Sequence, residues 1–214
     1  MKTIKIVSIT FICALISFVV FLAVKEVFKY AHQSKPVNVE ISKINAQKSL
    51  TLLNANVDII NDKNKVGAIG ITEGENKGKE LVPTALYYEF TIKNTSKRTV
   101  GMYNKQGLEV NIIPNDNLIS LSKEIIGFNI FNPSEYSNSG VGYGKSFDSV
   151  LKPGQVGQYS IHFDLGVSEE NSQVPLLVPS AEKLQLLKKD ALNATLVVTL
   201  EDKEILRFNL KEYK

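Results

Sequence analysis

The sequence is poor in the residues that most often carry chemistry. Its 214 residues contain no tryptophan, two histidines and a single cysteine, Cys13, which lies inside an apolar run. One cysteine cannot form an intramolecular disulfide and cannot supply the paired thiolates of a structural zinc site. The chain is therefore not a disulfide-stabilised secreted module, and we expect it to hold no metal and no cofactor.

An excess of positive charge is also missing outside the N-terminal region. The first 37 residues hold five lysines and one glutamate, a net charge of +4, while the rest of the chain holds 20 basic and 21 acidic residues, a net charge of −1. A domain that binds nucleic acid needs a concentrated basic surface to neutralise phosphates. We therefore expect no DNA or RNA partner. The excess positive charge belongs to the lysines that flank an apolar segment, where they meet lipid headgroups.

That apolar segment, residues 6–24 (IVSITFICALISFVVFLAV), runs for 19 residues without a charged side chain. At a rise of about 1.5 Å per residue, a helix of this length covers a hydrocarbon layer of about 30 Å. A basic tail, residues 1–5, precedes it, and a polar juxtamembrane linker, residues 25–36, follows it. We expect an uncleaved signal anchor in the cell membrane that contacts lipid through residues 6–24.

Other interpretations of this segment remain open. A cleaved signal peptide has an apolar core of about 7–15 residues that ends in a small-x-small site, whereas neither Ala23 nor Ala31 has a small residue two positions before it. A buried helix of a soluble protein is a further alternative. A lipoprotein signal is rejected because Ile12 directly precedes Cys13. The short N-terminal tail favours a single-pass protein with its domain outside the cytoplasm.

The rest of the chain, residues 37–214, has the patterns of a mostly β domain. Alternating apolar side chains predict strands at 85–94, 108–112 and 158–165. In the last of these strands, the side chains predicted to point to solvent are Gln158, Ser160, His162 and Asp164.

Turn residues mark the ends of several predicted strands. Pro153 and Gly154 occupy the second and third positions of a type II turn that starts the strand at 158–165. Near the C-terminus, two apolar runs on either side of residues 201–203 predict a hairpin. Short strands with turn signals about every 8–12 residues favour an antiparallel sandwich.

Two stretches have helical spacing instead. Ser180 is positioned to cap a short helix over residues 181–191, which places Leu184, Leu187 and Ala191 on one side. Residues 118–126, which Gly127 ends, fit either a helix or a strand.

Three of these features together resemble a known family. The motif 93–96 (KNTS) at a strand end, the strand 108–112, and the turn 151–155 (LKPGQ) are similar to an immunoglobulin-like domain family of membrane-anchored proteins and lipoproteins in Gram-positive bacterial envelopes. The match covers residues 80–210, and the missing lipoprotein signal is where this chain departs from the family. The resemblance implies an immunoglobulin-like β-sandwich, an envelope location and a non-catalytic role.

The main candidate for recognition is the stretch 127–150, which mixes aromatic residues with Asn, Ser and Gly. Aromatic anchors on an adaptable polar loop are typical of binding surfaces. Phe131, Tyr136 and Tyr143 are therefore the candidate binding residues. The alternative is an irregular connection whose aromatic rings pack against the core.

None of the other motifs in the sequence predicts an enzyme. The segment 140–146 (GVGYGKS) resembles a phosphate loop, but Ser139 stands where that motif needs glycine and a turn follows instead of a helix, so we expect no nucleotide. His162 and Asp164 could form the edge of a metal site, although a solvated strand face is the simpler interpretation. No Gly-x-Ser-x-Gly motif supports a hydrolase.

The expected function is a membrane-anchored extracytoplasmic binding or accessory protein of the cell envelope, whose partner is an envelope protein or a wall component. One alternative is a subunit of a larger membrane complex engaged through the helix, in which Ser8, Ala14 and Ser17 permit close packing. The other alternative is a secreted β-sandwich protein released by signal-peptide cleavage.

Overall fold

A computed structural model describes residues 49–101 and 107–213 of the chain. The chain divides into two units, Met1–Glu40 and Ile41–Lys214, and the described residues all belong to the second. The tail, the expected membrane anchor at 6–24 and the linker lie outside the described residues. Within the described ranges, no helix is long and apolar enough to cross a membrane.

Antiparallel strands make up most of the described domain, and few helices accompany them. In chain order the strands are β1 (Leu50–Ile60), β2 (Ile69–Gly70), β3 (Glu80–Leu81), β4 (Thr84–Asn94), β5 (Leu108–Pro114), β6 (Tyr143–Phe147), β7 (Val156–Gly166), β8 (Ala194–Leu200) and β9 (Lys203–Asn209). The helices are α1 (Lys63–Val66), α2 (Asp116–Ile126) and α3 (Ala181–Asp190), with 3-10 turns at Pro133–Tyr136 and Leu210–Tyr213. The prediction of a mostly β domain with a short helix near 181–191 is confirmed.

The strands form a four-stranded sheet in the order β1-β4-β7-β6, a three-stranded sheet in the order β5-β8-β9, and a small ribbon of β2 and β3. Their pairing is antiparallel throughout. The apolar faces of the two larger sheets contribute to one hydrophobic cluster, in which Leu86, Tyr88 and Phe90 of β4 are fully buried. A core shared between two antiparallel sheets is compatible with a sandwich.

The turn before β7 has the predicted chemistry. Gly154 has a φ of +75°, and the N–H of Gln155 donates to the carbonyl of Lys152 over 3.0 Å, as a type II turn requires. The buried Asn94, at the end of β4, donates its side-chain N–H to the carbonyl of Leu151 over 2.9 Å. These bonds fix the start of β7 beside the end of β4.

Helix α2 settles the open choice for residues 118–126 in favour of a helix. Asn115 caps its start by accepting the N–H of Leu118 at 2.9 Å, and Gly127 ends it in the left-handed conformation with a φ of +97°. In α3, Ser180 holds the predicted N-cap position, but its side chain makes no capping hydrogen bond in the described part of the chain.

The predicted C-terminal hairpin is confirmed as β8 and β9. Its two-residue turn is formed by Glu201 and Asp202, whose φ angles are +51° and +60°. Leu200 and Lys203 flank the turn, and a register shift between Val198 and Thr199 places Val198 opposite Leu206. Leu210, the last apolar residue of the hairpin pattern, lies after β9 in the 3-10 turn Leu210–Tyr213.

Candidate functional site

The three predicted binding residues lie close together but differ in exposure. Tyr136 is buried at 7% exposure, and its ring lies 5.8 Å from the ring of Tyr143. Phe131 is partly buried and packs edge-on against Phe163 of β7, with ring centroids 4.9 Å apart. Tyr143, the first residue of β6, is 44% exposed. Of the three candidates, Tyr143 is therefore the one whose ring is most accessible from solvent.

Edge strand β6 carries Tyr143, Lys145 and Phe147 on one face, and we call these three side chains the β6 row. They pair in register with the inward-pointing residues of β7, but Tyr143 and Phe147 remain 44% and 36% exposed. Alternate residues of a strand share a face, so the two rings stand about 13 Å apart along the strand. Between them, Lys145 donates a hydrogen bond to the side-chain oxygen of Asn111 in β5.

The β6 row combines two aromatic rings with a cation. Large aromatic side chains that stay exposed in a folded domain are the usual anchors of recognition, because burying them on binding is favourable. Asn111 is neutral, so its hydrogen bond orients Lys145 without neutralising the charge. The row therefore suits a partner that offers apolar or ring surfaces together with negative charge.

Phe147 was not singled out from the sequence. The signal was present, since Tyr143, Lys145 and Phe147 alternate with two small residues as one strand face does. The glycine spacing of residues 140–146 resembles a phosphate loop more than a strand, which obscured this alternation. In the structure this segment runs into strand β6 and not into a helix, so it has no helix N-terminus to hold a phosphate.

The opposite face of β7 holds a polar pair, the partly buried His162 and the buried Asp164. The prediction that both side chains point to solvent is wrong, because they are 15% and 8% exposed. The ring of Tyr87, on the neighbouring strand β4, stacks on His162 with centroids 6.4 Å apart and an interplanar angle of 14°.

A cover made of the β2-β3 ribbon and the loop 167–178 lies at this end of β7. Val167 and Val174 of the loop form a small buried cluster with Ile71, against which ribbon side chains pack. Gln173 accepts the N–H of Thr72 at 2.9 Å and donates to a ribbon carbonyl at 3.0 Å, which ties the loop to the ribbon. These contacts hold the ribbon and the loop together next to the end of β7.

Asp164 has one well-placed hydrogen-bond donor and lacks a second. Its Oδ2 accepts the N–H of Gly142 at 3.0 Å, while its buried Oδ1 has no hydrogen-bond partner in the described structure. The Nε2 of His162 lies 3.8 Å from that Oδ1, beyond hydrogen-bond distance. Burial raises the pKa of Asp164 to about 6, against the opposing effect of the Gly142 bond, and burial also lowers the pKa of His162.

As a metal site, this pair lacks a third ligand among the described residues. Among the described residues, no group of three or more His, Cys, Asp and Glu side chains is placed to hold a metal ion. A catalytic zinc site uses three protein ligands and a structural site uses four. His162 and Asp164 would supply two.

A separate cavity of about 260 Å³ lies where β5 and β9 end and β8 begins. Its lining residues are Ile113, Pro114, Asn115, Asn193, Ala194, Thr195, Asn209 and Lys211. The asparagines there serve local structure, since Asn115 caps α2 and Asn209 accepts the N–H of Lys211 at 3.2 Å. The polar lining is explained by chain turns, and the β6 row remains the stronger candidate for binding.

No protein-family model, no curated protein and no solved structure matches this chain. What the domain does must therefore be inferred from its own residues.

Proposed function

We propose that the chain is a membrane-anchored, extracytoplasmic binding or accessory protein of the cell envelope, without catalytic activity. Residues 6–24 anchor it, and an immunoglobulin-like sandwich binds an envelope protein or a wall component. The observation that carries the binding role is the β6 row, in which two aromatic rings and a lysine stand exposed on an edge strand.

The anchor and the sandwich have separate support. An uncharged run of 19 residues has the length of a membrane span, and lysines flank it on both sides. The sandwich is supported by two antiparallel sheets that share one apolar core. The immunoglobulin-like assignment is the finer part of the proposal and depends on the resemblance of the turn and strand motifs.

Contact through side chains fits β6 better than strand addition does. The strand has five residues and carries Lys145 at its centre. Short edge strands with a lysine resist pairing with another strand. A partner is therefore expected to contact the exposed rings of Tyr143 and Phe147.

The location can be tested by labelling a cysteine on the domain. Ser172 is exposed, and the native Cys13 lies in the expected span, so the unsubstituted chain serves as the control. In intact cells that express the full chain with Ser172→Cys, a membrane-impermeant maleimide should label the variant and leave the control unlabelled. Labelling that requires cell lysis would contradict an extracytoplasmic domain, and a shortened labelled chain in the medium would favour the secreted alternative.

The binding role can be tested with isolated envelope fragments. Full-length chain in detergent should sediment with the fragments, and Tyr143→Ser or Phe147→Ser should weaken this binding about tenfold, as loss of an anchor residue does. Leu53→Ser on β1 is the matched control, since Leu53 is 49% exposed. Protease treatment of the fragments separates a protein partner from a wall component. Equal losses in all three variants would contradict the proposal.

A further inference from the structure

Asp164 connects the polar pair of β7 to the β6 row. Its side chain accepts the N–H of Gly142 at 3.0 Å, and its own N–H donates to the carbonyl of Gly142 at 2.9 Å. Gly142 directly precedes Tyr143. The hydroxyl of Tyr136 donates to the carbonyl of Asp164 at 3.3 Å, and the ring of Tyr136 contacts Tyr143. Two routes therefore lead from Asp164 to the exposed ring of Tyr143.

The unpartnered Oδ1 of Asp164 is the unstable part of this arrangement. A buried carboxylate that lacks a hydrogen-bond partner has lost hydration without replacement, which costs free energy. A proton on the carboxyl group removes the charge and so lowers this cost. A proton on His162 lowers it as well, if the gap of 3.8 Å closes to a charge-assisted hydrogen bond. One proton can be shared by both groups. The pH at which either group takes up a proton then depends on the other group.

The ring of His162 has little room to move. It stacks on Tyr87 on one side, and it lies against Gly144 on the other. A Cβ atom at Gly144 would stand 2.4 Å from the Cε1 of His162, so only glycine leaves space for the ring. Any movement that closes the gap therefore falls to Asp164 and to the Gly142 N–H bonded to it.

We propose that His162 and Asp164 share one proton, and that this proton controls how β6 presents Tyr143. The inference rests on the function proposed above, because it concerns regulation of the same surface. An ionised Asp164 makes a charge-assisted hydrogen bond to Gly142, the residue that leads into β6. When the pair takes up a proton, this bond weakens and the start of β6 shifts.

The charged and titratable groups that contact the pair, or lie one contact further away, come from several elements. They are Tyr87 and Glu89 of β4, Lys65 of α1, Tyr136 of the 3-10 turn and Tyr143 of β6. Lys65 is paired with Glu89. Burial raises the pKa of Tyr136 far above neutrality, and the bond to Glu89 raises the pKa of Lys65. These two groups keep their charge state near pH 6.

The test is a nuclear magnetic resonance titration of the isotope-labelled full chain in detergent micelles between pH 7.5 and 5. The amide signal of Gly142 and the ring signals of Tyr143 should both shift with an inflection near pH 6. Asp164→Asn, which keeps the shape and can still accept the Gly142 N–H, should abolish the inflection. Asp116→Asn removes an exposed carboxylate on α2 and should leave it unchanged. Signals that stay flat, or an inflection that survives Asp164→Asn, would overturn the proposal.

A second variant tests whether the proton is shared. His162→Gln should move the inflection of Gly142 to a different pH, whereas an unchanged inflection would mean that Asp164 titrates alone and would overturn the sharing. The titration needs no partner, so its failure leaves the envelope-binding experiment with Tyr143→Ser intact. Conversely, a chain that titrates as expected but fails to bind envelope fragments would count against the proposed function only.

Discussion

The two edge strands of the four-stranded sheet, β1 and β6, differ in length and in how much of the chain contacts them. Strand β1 is 11 residues long, with a register shift at Leu53, and other parts of the chain bond to it. The hydroxyl of Tyr213 donates to the carbonyl of Leu52 at 3.1 Å, and Lys188 of α3 pairs with Asp58 at 2.7 Å. Irregular pairing and added cover are the usual protections of an edge strand against unwanted association.

Strand β6, at the other edge, has five residues and leaves the rings of Tyr143 and Phe147 exposed. Its shortness and its lysine already protect the backbone from strand addition. The exposed rings add nothing to that protection, and they forgo the free energy that burial would give. The edges differ in that the rest of the chain bonds to β1, while β6 leaves two aromatic rings exposed, and this difference supports the proposal that β6 is the recognition edge.

The largest expected effect comes from removing the cover of β1. Leu210 is fully buried in the 3-10 turn that reaches β1, so Leu210→Ala should lower the free energy of unfolding by about 2–5 kcal/mol. Chemical denaturation measures the loss, and sedimentation should show self-association through the uncovered edge. On β6, Phe147→Ala is the matched control and should cost far less. A loss as small for Leu210→Ala as for Phe147→Ala would contradict the role given to the cover.

The next effect concerns the buried carboxylate behind β6. The folded pKa of Asp164 is about 6, above its ordinary 3.8, so its contribution to stability is complete below pH 3.8 and is lost as the pH rises through 6. A shift of about two pKa units corresponds to about 3 kcal/mol. Asp164→Asn should therefore raise the free energy of unfolding by about that amount at pH 7.5.

The same variant should differ little from the native chain at pH 3.5, where the carboxyl group is protonated in both the folded and the unfolded state. The lowered pKa of His162 acts in the other direction, because the stability that it contributes is lost as the pH falls below 6.5. At pH 7.5 His162 is neutral, so the difference there reports on Asp164, whereas at lower pH the shared proton makes the difference a property of the pair. A difference that does not depend on pH would contradict the account of Asp164.

A smaller effect is expected at the ion pair on β1. The side chains of Lys188 and Asp58 are 35% and 52% exposed, so Lys188→Ala should lower the free energy of unfolding by less than about 1 kcal/mol. The bond from Lys188 lowers the pKa of Asp58, so the pair stabilises the fold above pH 3.8 and the effect fades as the pH falls further. Lys152→Ala, at an exposed turn, is the control. A loss that persists at low pH would show that packing dominates.

The smallest effect on stability is expected at β6 itself. Because the ring of Tyr143 is 44% exposed, Tyr143→Ser should change the free energy of unfolding by no more than about 0.5 kcal/mol while it weakens envelope binding. Thermal or chemical denaturation checks the first part. If Tyr143→Ser destabilised the fold as much as a core substitution does, its loss of binding would carry no information about recognition.

Local patterns predicted much of this fold. The alternation of β4 and β7, the turn at Pro153 and Gly154, and the glycine that ends α2 act over a few residues, and physical rules relate them directly to structure. The burial of Asp164 could not be predicted in the same way. The contacts of Asp164 with Gly142 and Tyr136 join residues that are 22 and 28 positions apart along the chain.

The candidate site, too, could be predicted from the sequence only in part. The sequence pointed to Phe131, Tyr136 and Tyr143 as aromatic residues in a polar stretch, and this composition could not distinguish rings that face the core from a ring that faces solvent. Which ring stays exposed depends on where β6 lies in the sheet, and that is set by pairing with β7. Strand alternation around Lys145 could have added Phe147 to the candidates.

Site-directed photo-crosslinking at the two edges tests the central claim most directly. A photoreactive phenylalanine analogue placed at position 143 on β6, or at position 53 on β1, would sit at sites that are 44% and 49% exposed in the native chain. After illumination of intact envelopes, position 143 should give a discrete crosslinked product and position 53 should give none. The same product from both positions, or a product from position 53 alone, would contradict the assignment of β6 as the recognition edge.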